Sequence, residues 1–203
     1  MKQARIQRKF FLRPTVEVAR DVLGKRLVRI EPSGRRISGI INEAEAYVGT
    51  EDLGCHAKSG RTKRNRSMWG SPGQAYIYFT YGMHWLLNFV TEEEGRPAAV
   101  LIRSLIVDEG RDLVALRRRG RPERDWTNGP AKLTTALEIN SAFDGSDLCT
   151  NGAVLFVEDN SSLPDEIVRT GPRIGLFTVP EPWKSIPWRF WVVPQDYLDW
   201  RDG

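Results

Sequence analysis

The chain has 203 residues, 40% of them hydrophobic and 28% charged, with a formal net charge of +4 at pH 7 and a pI near 9.2. This composition is that of an ordinary globular protein, and it excludes low-complexity and repeat architectures. We expect one domain over residues 1–203. The basic balance favours an anionic partner, although net charge alone identifies none. Two cysteines without a CxxC spacing exclude a four-cysteine iron–sulfur cluster and favour a reduced, intracellular compartment.

The N-terminal third predicts a helix followed by two strands. The helix should run from Thr15 to Leu23, because Gly24 suits the left-handed residue that ends a helix. Residues 26–30 and 37–48 predict strands. If the second strand is regular, side chains that alternate with period two share one face. That face would carry Ile37, Ile41, Glu43, Glu45 and Tyr47.

Residues 49–74 predict a long exposed loop, because they hold five Lys or Arg and five Gly. A loop of that length inside a compact domain is usually functional or disordered. The apolar and aromatic segments 75–90 and 98–107 predict further sheet. This sheet should be broken at Gly82 and at the polar turn 92–96.

The C-terminal half alternates between helical and strand patterns. Helices are predicted over 109–119 and after the Asn-Gly-Pro sequence at 128–130. Short strands are predicted over 153–157, 173–178 and 188–193. Hairpin-length connections outnumber βαβ crossovers, so we predict an α+β fold with a curved, mainly antiparallel sheet surrounded by helices.

Residues 43–88 combine three kinds of side chain with complementary chemistry. Carboxylates can move protons or activate water, cations can hold phosphates, and aromatic rings can stack on bases. Few proteins need all three, and enzymes that excise bases from DNA do. The segment contains Glu43, Glu45, Tyr47, His56, Lys58, Arg61, Lys63, Arg64, Arg66, Tyr76, Tyr78, Tyr81 and Asn88.

The order of these motifs closely resembles the alkyladenine (3-methyladenine) DNA glycosylase family. The resemblance rests on Glu43-Ala44-Glu45-Ala46-Tyr47, His56, Arg64-Asn65-Arg66, Pro72-Gly73, Tyr76-Ile77-Tyr78 and Tyr81-Gly82-Met83. Residues 128–133, 172–175 and 187–190 are similar to that family's other signatures. The resemblance spans about residues 10–193, and several separated motifs in the same order are far more specific than any one of them.

The resemblance implies a monofunctional enzyme that flips alkylated purines out of double-stranded DNA and leaves an abasic site. The implied substrates are 3-methyladenine and 7-methylguanine, with hypoxanthine and ethenoadenine as further candidates. Breaking the glycosidic bond builds positive charge on the sugar, so one carboxylate can both activate water and stabilise the transition state. By resemblance Glu45 is that base, and Arg103 and the backbone carbonyl of Ile174 position the water. Chemistry alone does not separate Glu45 from Glu43, and either can be a solvated strand residue.

The resemblance also implies a pocket for the extruded base. Tyr47, His56 and Tyr78 would surround the base, and Asn88 at the floor would discriminate against the exocyclic amine of guanine. Aromatic residues in strands are more often core than binding platform, and an asparagine can simply be a turn or edge amide. The two histidines belong to no cluster with familiar ligand spacing, so we predict neither a metal nor a cofactor.

The remaining implied contacts are with the DNA duplex. Tyr81 resembles the aromatic that enters the duplex where the lesion was, Met83 would flank it, and Gly82 permits the sharp turn. The predicted backbone contacts are Arg61, Lys63, Arg64, Arg66 and Lys132. A nucleophilic Lys132 would instead form a Schiff base and nick the strand, but the resemblance favours a phosphate contact. The arginine cluster at 117–124 is equally compatible with a solvated face.

Two other functions fit parts of the pattern. Glu43 and Glu45 could serve a glycosidase that acts on a free nucleoside or sugar, but adjacent carboxylates on one strand flank a bond poorly. An aromatic platform could also belong to a non-catalytic lesion-binding or RNA-binding protein. We further expect a cytoplasmic, nucleoid-associated monomer of prokaryotic type, without an N-terminal extension or a membrane segment. Trp69, His84 and Trp85 vary the aromatic content that the resemblance implies around the pocket entrance, and they can shift lesion preference.

Overall fold

A computed structural model describes residues 3–203. Its eight strands form one sheet, in which every pairing is antiparallel. The strands are β1 (Arg26–Ile30), β2 (Arg36–Val48), β3 (Ala75–Thr80), β4 (His84–Val90), β5 (Ala98–Glu109), β6 (Leu155–Glu158), β7 (Arg169–Gly171) and β8 (Arg189–Trp191). This architecture confirms the predicted α+β class with a mainly antiparallel sheet.

The sheet runs in the order β3-β4-β5-β2-β1-β6, and β8 pairs with both β2 and β7. The long strand β2 has two partners along one edge. Its first residues, 36–40, pair with β1, and residues 43–45 pair with β8. The other edge of β2 lies against β5 along nearly its whole length. Strand β2 therefore lies at the centre of the sheet and joins β1 and β8 on one side to β5 on the other.

Five helices surround the sheet within the described residues: α1 (Arg8–Phe11), α2 (Thr15–Asp21), α3 (Arg111–Arg117), α4 (Pro130–Ala136) and α5 (Pro194–Asp202). The helix predicted to run to Leu23 ends at Asp21, and Gly24 adopts the predicted left-handed conformation, with a φ of +80°, in the turn that follows. Pro130 opens α4, where the missing proline N–H is not needed, as the Asn-Gly-Pro sequence predicted. Helix α4 packs on β4 and β5, and its side chains Leu133, Thr134 and Ala136 are buried. No helix within residues 3–203 is long and apolar enough to cross a bilayer.

Strand β2 is irregular where the carboxylates begin. The paired Cα atoms are Ile41 with Leu105, Glu43 with Ser104, and Ala44 with Ile102. Asn42 is thus an extra residue on β2, and Arg103 is an extra residue on β5. Such bulges shift the alternation of side chains between the two faces. Ile37 and Ile41 consequently pack in the main core, and they do not share one regular face with residues 43–47.

Two local predictions need correction. Residues 173–178 form turns instead of a strand, because Gly175 adopts a φ of +89° that interrupts extended backbone. Residues 49–74 are not a wholly exposed loop, since they contain the short 3₁₀ helices His56–Ser59 and Arg66–Trp69. Apolar side chains of this segment, such as Met68, are buried and hold it against the sheet.

Candidate active site

One row of residues crosses five strands of the sheet. Backbone pairing aligns Tyr76 with Asn88, Asn88 with Leu101, Leu101 with Glu45, and Glu45 with Arg189. Directly opposed residues of antiparallel strands project from the same face. The aromatic wall, the polar floor and the carboxylate are therefore brought together by strand register.

A cavity of about 320 Å³ lies over this row, at the lower end of the usual range for small-ligand sites. Its walls come from β3, β4 and β5, from the segment containing His56, and from the turn after Arg173. The cavity is lined by Tyr47, Gly54, Cys55, His56, Met68, Tyr76, Tyr78, Thr80, Tyr81, Leu86, Asn88, Leu101, Arg103, Pro130, Ile174, Gly175 and Leu176. All four predicted base-pocket residues are among them.

Glu45 lies directly behind the wall of the cavity and is completely buried. Its Oε2 accepts a hydrogen bond from the Tyr47 hydroxyl at 2.8 Å, and its Oε1 accepts one from the Ile174 amide at 2.7 Å. A guanidinium nitrogen of Arg103 lies 3.3 Å from Oε1. Each of these three neighbours lines the cavity, whereas Glu45 itself does not. The carboxylate is thus one layer from the cavity and is covered by three donors.

The protonation of Glu45 reflects two opposing influences. Burial raises the pKa of Glu45, because a charged carboxylate loses its hydration. Arg103, the Ile174 amide and the Tyr47 hydroxyl each lower it, since they stabilise the anion. Burial is the larger influence, so the pKa of Glu45 lies above the ordinary range of a glutamate.

Arg103 connects the two candidate carboxylates. Its Nε donates to Glu43 Oε1 at 2.8 Å, and Arg189 also donates to that oxygen at 3.2 Å. Glu43 is half-buried and binds two arginines, whereas Glu45 binds one arginine and two uncharged donors. Although burial lowers the pKa of Arg103, Glu45 and Glu43 raise it more. Arg103 therefore carries its charge beside the cavity at all working pH values.

A buried ion pair anchors the turn that carries Ile174. Arg173 and Asp52 are both fully buried, and Arg173 donates to Asp52 Oδ1 at 2.8 Å. Arg173 also donates to the Ala46 carbonyl at 3.0 Å, and its guanidinium covers the Tyr47 ring at 4.7 Å from the centroid. One residue thus fixes both Tyr47 and Ile174 next to Glu45. The structure gives the Ile174 amide a contact with Glu45; the predicted contact between its carbonyl and water stays a prediction.

The aromatic wall consists of His56, Tyr76 and Tyr78. His56 Nδ1 lies 2.9 Å from the Tyr76 hydroxyl, and its ring meets Tyr78 edge to face with centroids 4.4 Å apart. Packing lowers the pKa of His56, and the cations Arg64 and Lys58 lower it further. His56 keeps an exposed edge, and its imidazole is neutral near pH 7. Within residues 3–203, no three His, Cys, Asp or Glu side chains converge as metal ligands.

Burial keeps the tyrosines of the site protonated. It raises the pKa of Tyr78 to about 12 and that of Tyr47 well above its usual value, with nearby Glu45 adding to both shifts. Asn88 is buried at the floor and donates from Nδ2 to the Tyr76 carbonyl at 3.0 Å. This bond fixes the orientation of the amide. The cavity therefore presents neutral rings, one fixed amide and the charged Arg103 to a ligand.

Tyr81 stands at the tip of the β3–β4 hairpin. The Met83 amide donates to the Thr80 carbonyl at 3.2 Å, and Tyr81 and Gly82 both have positive φ, 51° and 66°. Positive φ at both central residues is typical of a tight hairpin turn. Tyr81 is 84% exposed and Met83 66% exposed, so both side chains project into solvent, and of the two Tyr81 lines the cavity.

The predicted phosphate contacts fall into two groups. Arg61, Lys63, Arg64 and Arg66 are exposed on the segment beside the cavity. Arg64 also donates to the Phe79 carbonyl at 3.0 Å, with its guanidinium 5.6 Å from the centroid of the Tyr78 ring. Lys132 is half-buried and binds Asn128 at 2.7 Å.

Only part of the arginine cluster at 117–124 is available for a ligand. Arg117 lies between Glu31 and Glu138, at 2.7 and 2.8 Å, so it has a structural role. Arg119, Arg121 and Arg124 are exposed.

Comparison with known proteins identifies the family. The family model described as methylpurine-DNA glycosylase matches residues 9–196. The chain belongs to this family. Relatives provisionally named 3-methyladenine DNA glycosylase include one from Methanocella arvoryzae, 47% identical over 92% of this chain and 91% of the relative. Others come from Streptomyces avermitilis, 44% identical over 92% and 87%, and from Chlorobaculum parvum, 42% identical over 96% and 90%.

Sequence reasoning missed several residues of this family member's site. Tyr76 was singled out with the other aromatic residues but was not assigned to the base pocket, although it shares the alternating face of Tyr78 and lines the cavity. The pair formed by Asp52 and Arg173 joins residues 121 positions apart, so no local pattern could reveal it. The same holds for Arg189, which reaches Glu43 through the pairing of β2 with β8.

Proposed function

We propose that this protein is a monofunctional DNA glycosylase that hydrolyses the N-glycosidic bond of alkylated purines in duplex DNA. Its substrates are 3-methyladenine and 7-methylguanine, and its product is an abasic site. The observation that carries the proposal is the environment of Glu45. A buried carboxylate held by Tyr47, Ile174 and Arg103 lies directly behind a cavity with aromatic walls.

Glu45 acts as the general base. It takes a proton from the water that attacks C1′ of the sugar, the bond from C1′ to the base nitrogen breaks, and its electron pair leaves with the base. The anion also stabilises the positive charge that develops on the sugar. An ionised carboxylate has about four acceptor positions, and the Tyr47 hydroxyl, the Ile174 amide and Arg103 occupy three of them, which leaves one for the attacking water.

The cavity receives the extruded base between neutral aromatic surfaces. One face of the Tyr47 ring is covered by Arg173, so only its other face is free for stacking. Rotation of a nucleotide out of the duplex costs roughly a few kcal/mol for unstacking. The exposed side chain of Tyr81 offsets part of this cost by filling the space that the base vacates.

The test is excision from an alkylated duplex oligonucleotide, followed by alkaline cleavage of the abasic strand. The wild-type protein should release the damaged purine without nicking the strand before alkali. Glu45→Gln should slow excision about 10²- to 10⁴-fold, the range for loss of a general base. Glu43→Gln is the matched control, and it should retain most of the activity.

Three results would overturn the proposal. An excision rate for Glu45→Gln equal to that of the wild type would remove the assigned base. Binding of the lesion without release would indicate a binding protein. Cleavage of free nucleosides but not of duplex DNA would indicate a nucleosidase.

A further inference from the structure

The exposed apolar surface of this protein is concentrated on two short segments at the cavity. Nine large hydrophobic side chains are exposed among the residues that the structure describes. Five of them belong to the hairpin 79–83 or to the turn 174–177: Phe79, Tyr81, Met83, Ile174 and Phe177. Tyr81 on the hairpin and Ile174 on the turn line the same cavity. Clustered apolar exposure of this kind marks a binding surface more often than a chance feature.

Phe177 is the most exposed member of the turn, at 81%. It directly follows Ile174, Gly175 and Leu176, all of which line the cavity. Burial of a phenylalanine side chain stabilises a folded protein by roughly 1.5–3 kcal/mol. The exposed Phe177 does not provide this stabilisation in the free protein. Phe177 therefore contributes little to folding and remains available for a ligand.

The turn that presents Phe177 is held in place from beneath. Arg173, at its start, is bound to the buried Asp52. A Cβ atom added at Gly54 would lie 2.7 Å from Leu176 Cδ1, so Leu176 packs directly on the backbone of Gly54. An exposed aromatic ring on an anchored turn loses little freedom when it binds.

We propose that Phe177 is a second aromatic contact to the distorted duplex, beside the extruded nucleotide. Rotation of one nucleotide out of the helix uncovers apolar faces of the neighbouring bases and sugars. The Phe177 ring packs against these surfaces, while Tyr81 enters the vacated space. This inference rests on the proposed function and adds a residue that acts on binding instead of bond cleavage.

The experiment measures equilibrium binding to a duplex with a tetrahydrofuran abasic-site analogue, which cannot be cleaved. Phe177→Ala should raise Kd roughly 5- to 100-fold, the range for loss of one base–aromatic contact. Phe177→Trp should keep Kd within about threefold, because it retains a ring. Leu116→Ala is the matched control, since Leu116 is 67% exposed on α3 and does not line the cavity.

A saturating-enzyme excision assay separates this role from catalysis. The single-turnover rate of Phe177→Ala on an alkylated duplex should stay within about threefold of the wild type. An unchanged Kd in Phe177→Ala, or an equal loss in Leu116→Ala, would overturn the role of Phe177 while wild-type excision upheld the proposed function. An absence of wild-type excision would instead overturn the proposed function itself.

Discussion

At the scale of single residues, the proposed role of Glu45 as general base predicts an acid limit to activity. A general base must be ionised, and burial raises the pKa of Glu45 above the ordinary value near 4.5. We expect the excision rate to fall as pH is lowered through this raised pKa. The measurement is the single-turnover rate against pH on a cationic lesion such as 7-methylguanine, which leaves without further protonation. A rate that stays constant down to pH 4 would contradict the assignment.

Replacing the neighbouring carboxylate, Glu43, tests whether the pKa of Glu45 sets the acid limb of the pH profile. Glu43 raises the pKa of Glu45 by charge repulsion, and it shares Arg103 with Glu45. Glu43→Gln removes the repulsion and leaves Arg103 to Glu45, so both effects lower the pKa of Glu45. The acid limb of the pH profile should therefore move to lower pH. Asp196→Asn, which alters a surface pair with Arg169, should leave the profile unchanged; a shift toward higher pH in Glu43→Gln would contradict the explanation.

At the scale of elements, the hairpin turn should control duplex binding. Gly82 has a φ of +66°, and an added Cβ would meet no atom within 4 Å. Gly82→Ala thus adds backbone strain alone, which costs about 1–2 kcal/mol and disturbs the presentation of Tyr81. We expect weaker binding to an abasic-site duplex. Gly34→Ala is the matched control, because Gly34 has a φ of +80°, equal free space and a position in the β1–β2 turn. Equal losses in both variants would indicate a general effect on stability.

The buried pair beneath the turn 174–177 should matter for both stability and activity. Asp52→Asn leaves Arg173 buried without its counter-charge, which costs about 3–5 kcal/mol. The Ile174 amide should then lose its fixed position on Glu45, so excision should fall together with the Tm. Asp196→Asn breaks the exposed pair with Arg169 and should cost at most about 1 kcal/mol. Chemical denaturation and single-turnover rates measure the two effects; a Tm loss no larger than that of Asp196→Asn would contradict the anchoring role.

Elements with a local signal were predictable from the sequence, whereas those set by long-range pairing were not. Gly24 and the Asn-Gly-Pro sequence at 128–130 marked helix ends through backbone conformations that depend on a few neighbouring residues. The extra residues Asn42 and Arg103 exist only in the register between β2 and β5, which no local pattern encodes. Strand β7 and helix α5 were also missed, because three residues are too few for a periodic pattern and α5 has a polar composition.

The residues of the candidate site divide in the same way, into those that the sequence indicated and contacts that depend on long-range pairing. Residue types and order identified the family, and family membership then indicated Glu45, Tyr47 and His56. Their arrangement depends on the row of paired residues across five strands, and on the link from Asp52 to Arg173. These contacts join distant parts of the chain, so they become visible only in three dimensions.

At the scale of the whole molecule, the position of the positive charges bears more on DNA binding than the net charge does. The chain has 30 Lys and Arg against 26 Asp and Glu, and many of its arginines are held in ion pairs. Arg61, Lys63 and Arg66 are different, because they are exposed and join none of the ion pairs found within residues 3–203. A modest net charge thus conceals a locally cationic surface beside the cavity.

This surface should determine how binding responds to salt. Each phosphate neutralised by a cation contributes about −0.9 to the slope of log K against log salt concentration. Lys63→Gln removes one unpaired cation, so we expect the slope to become shallower by about one, with a similar effect on damaged and undamaged duplexes. Arg35→Gln removes the same formal charge from an arginine that binds Asp112 in the β1–β2 turn, and its slope should match the wild type. Equal slopes for all three proteins would mean that Lys63 does not contact a phosphate.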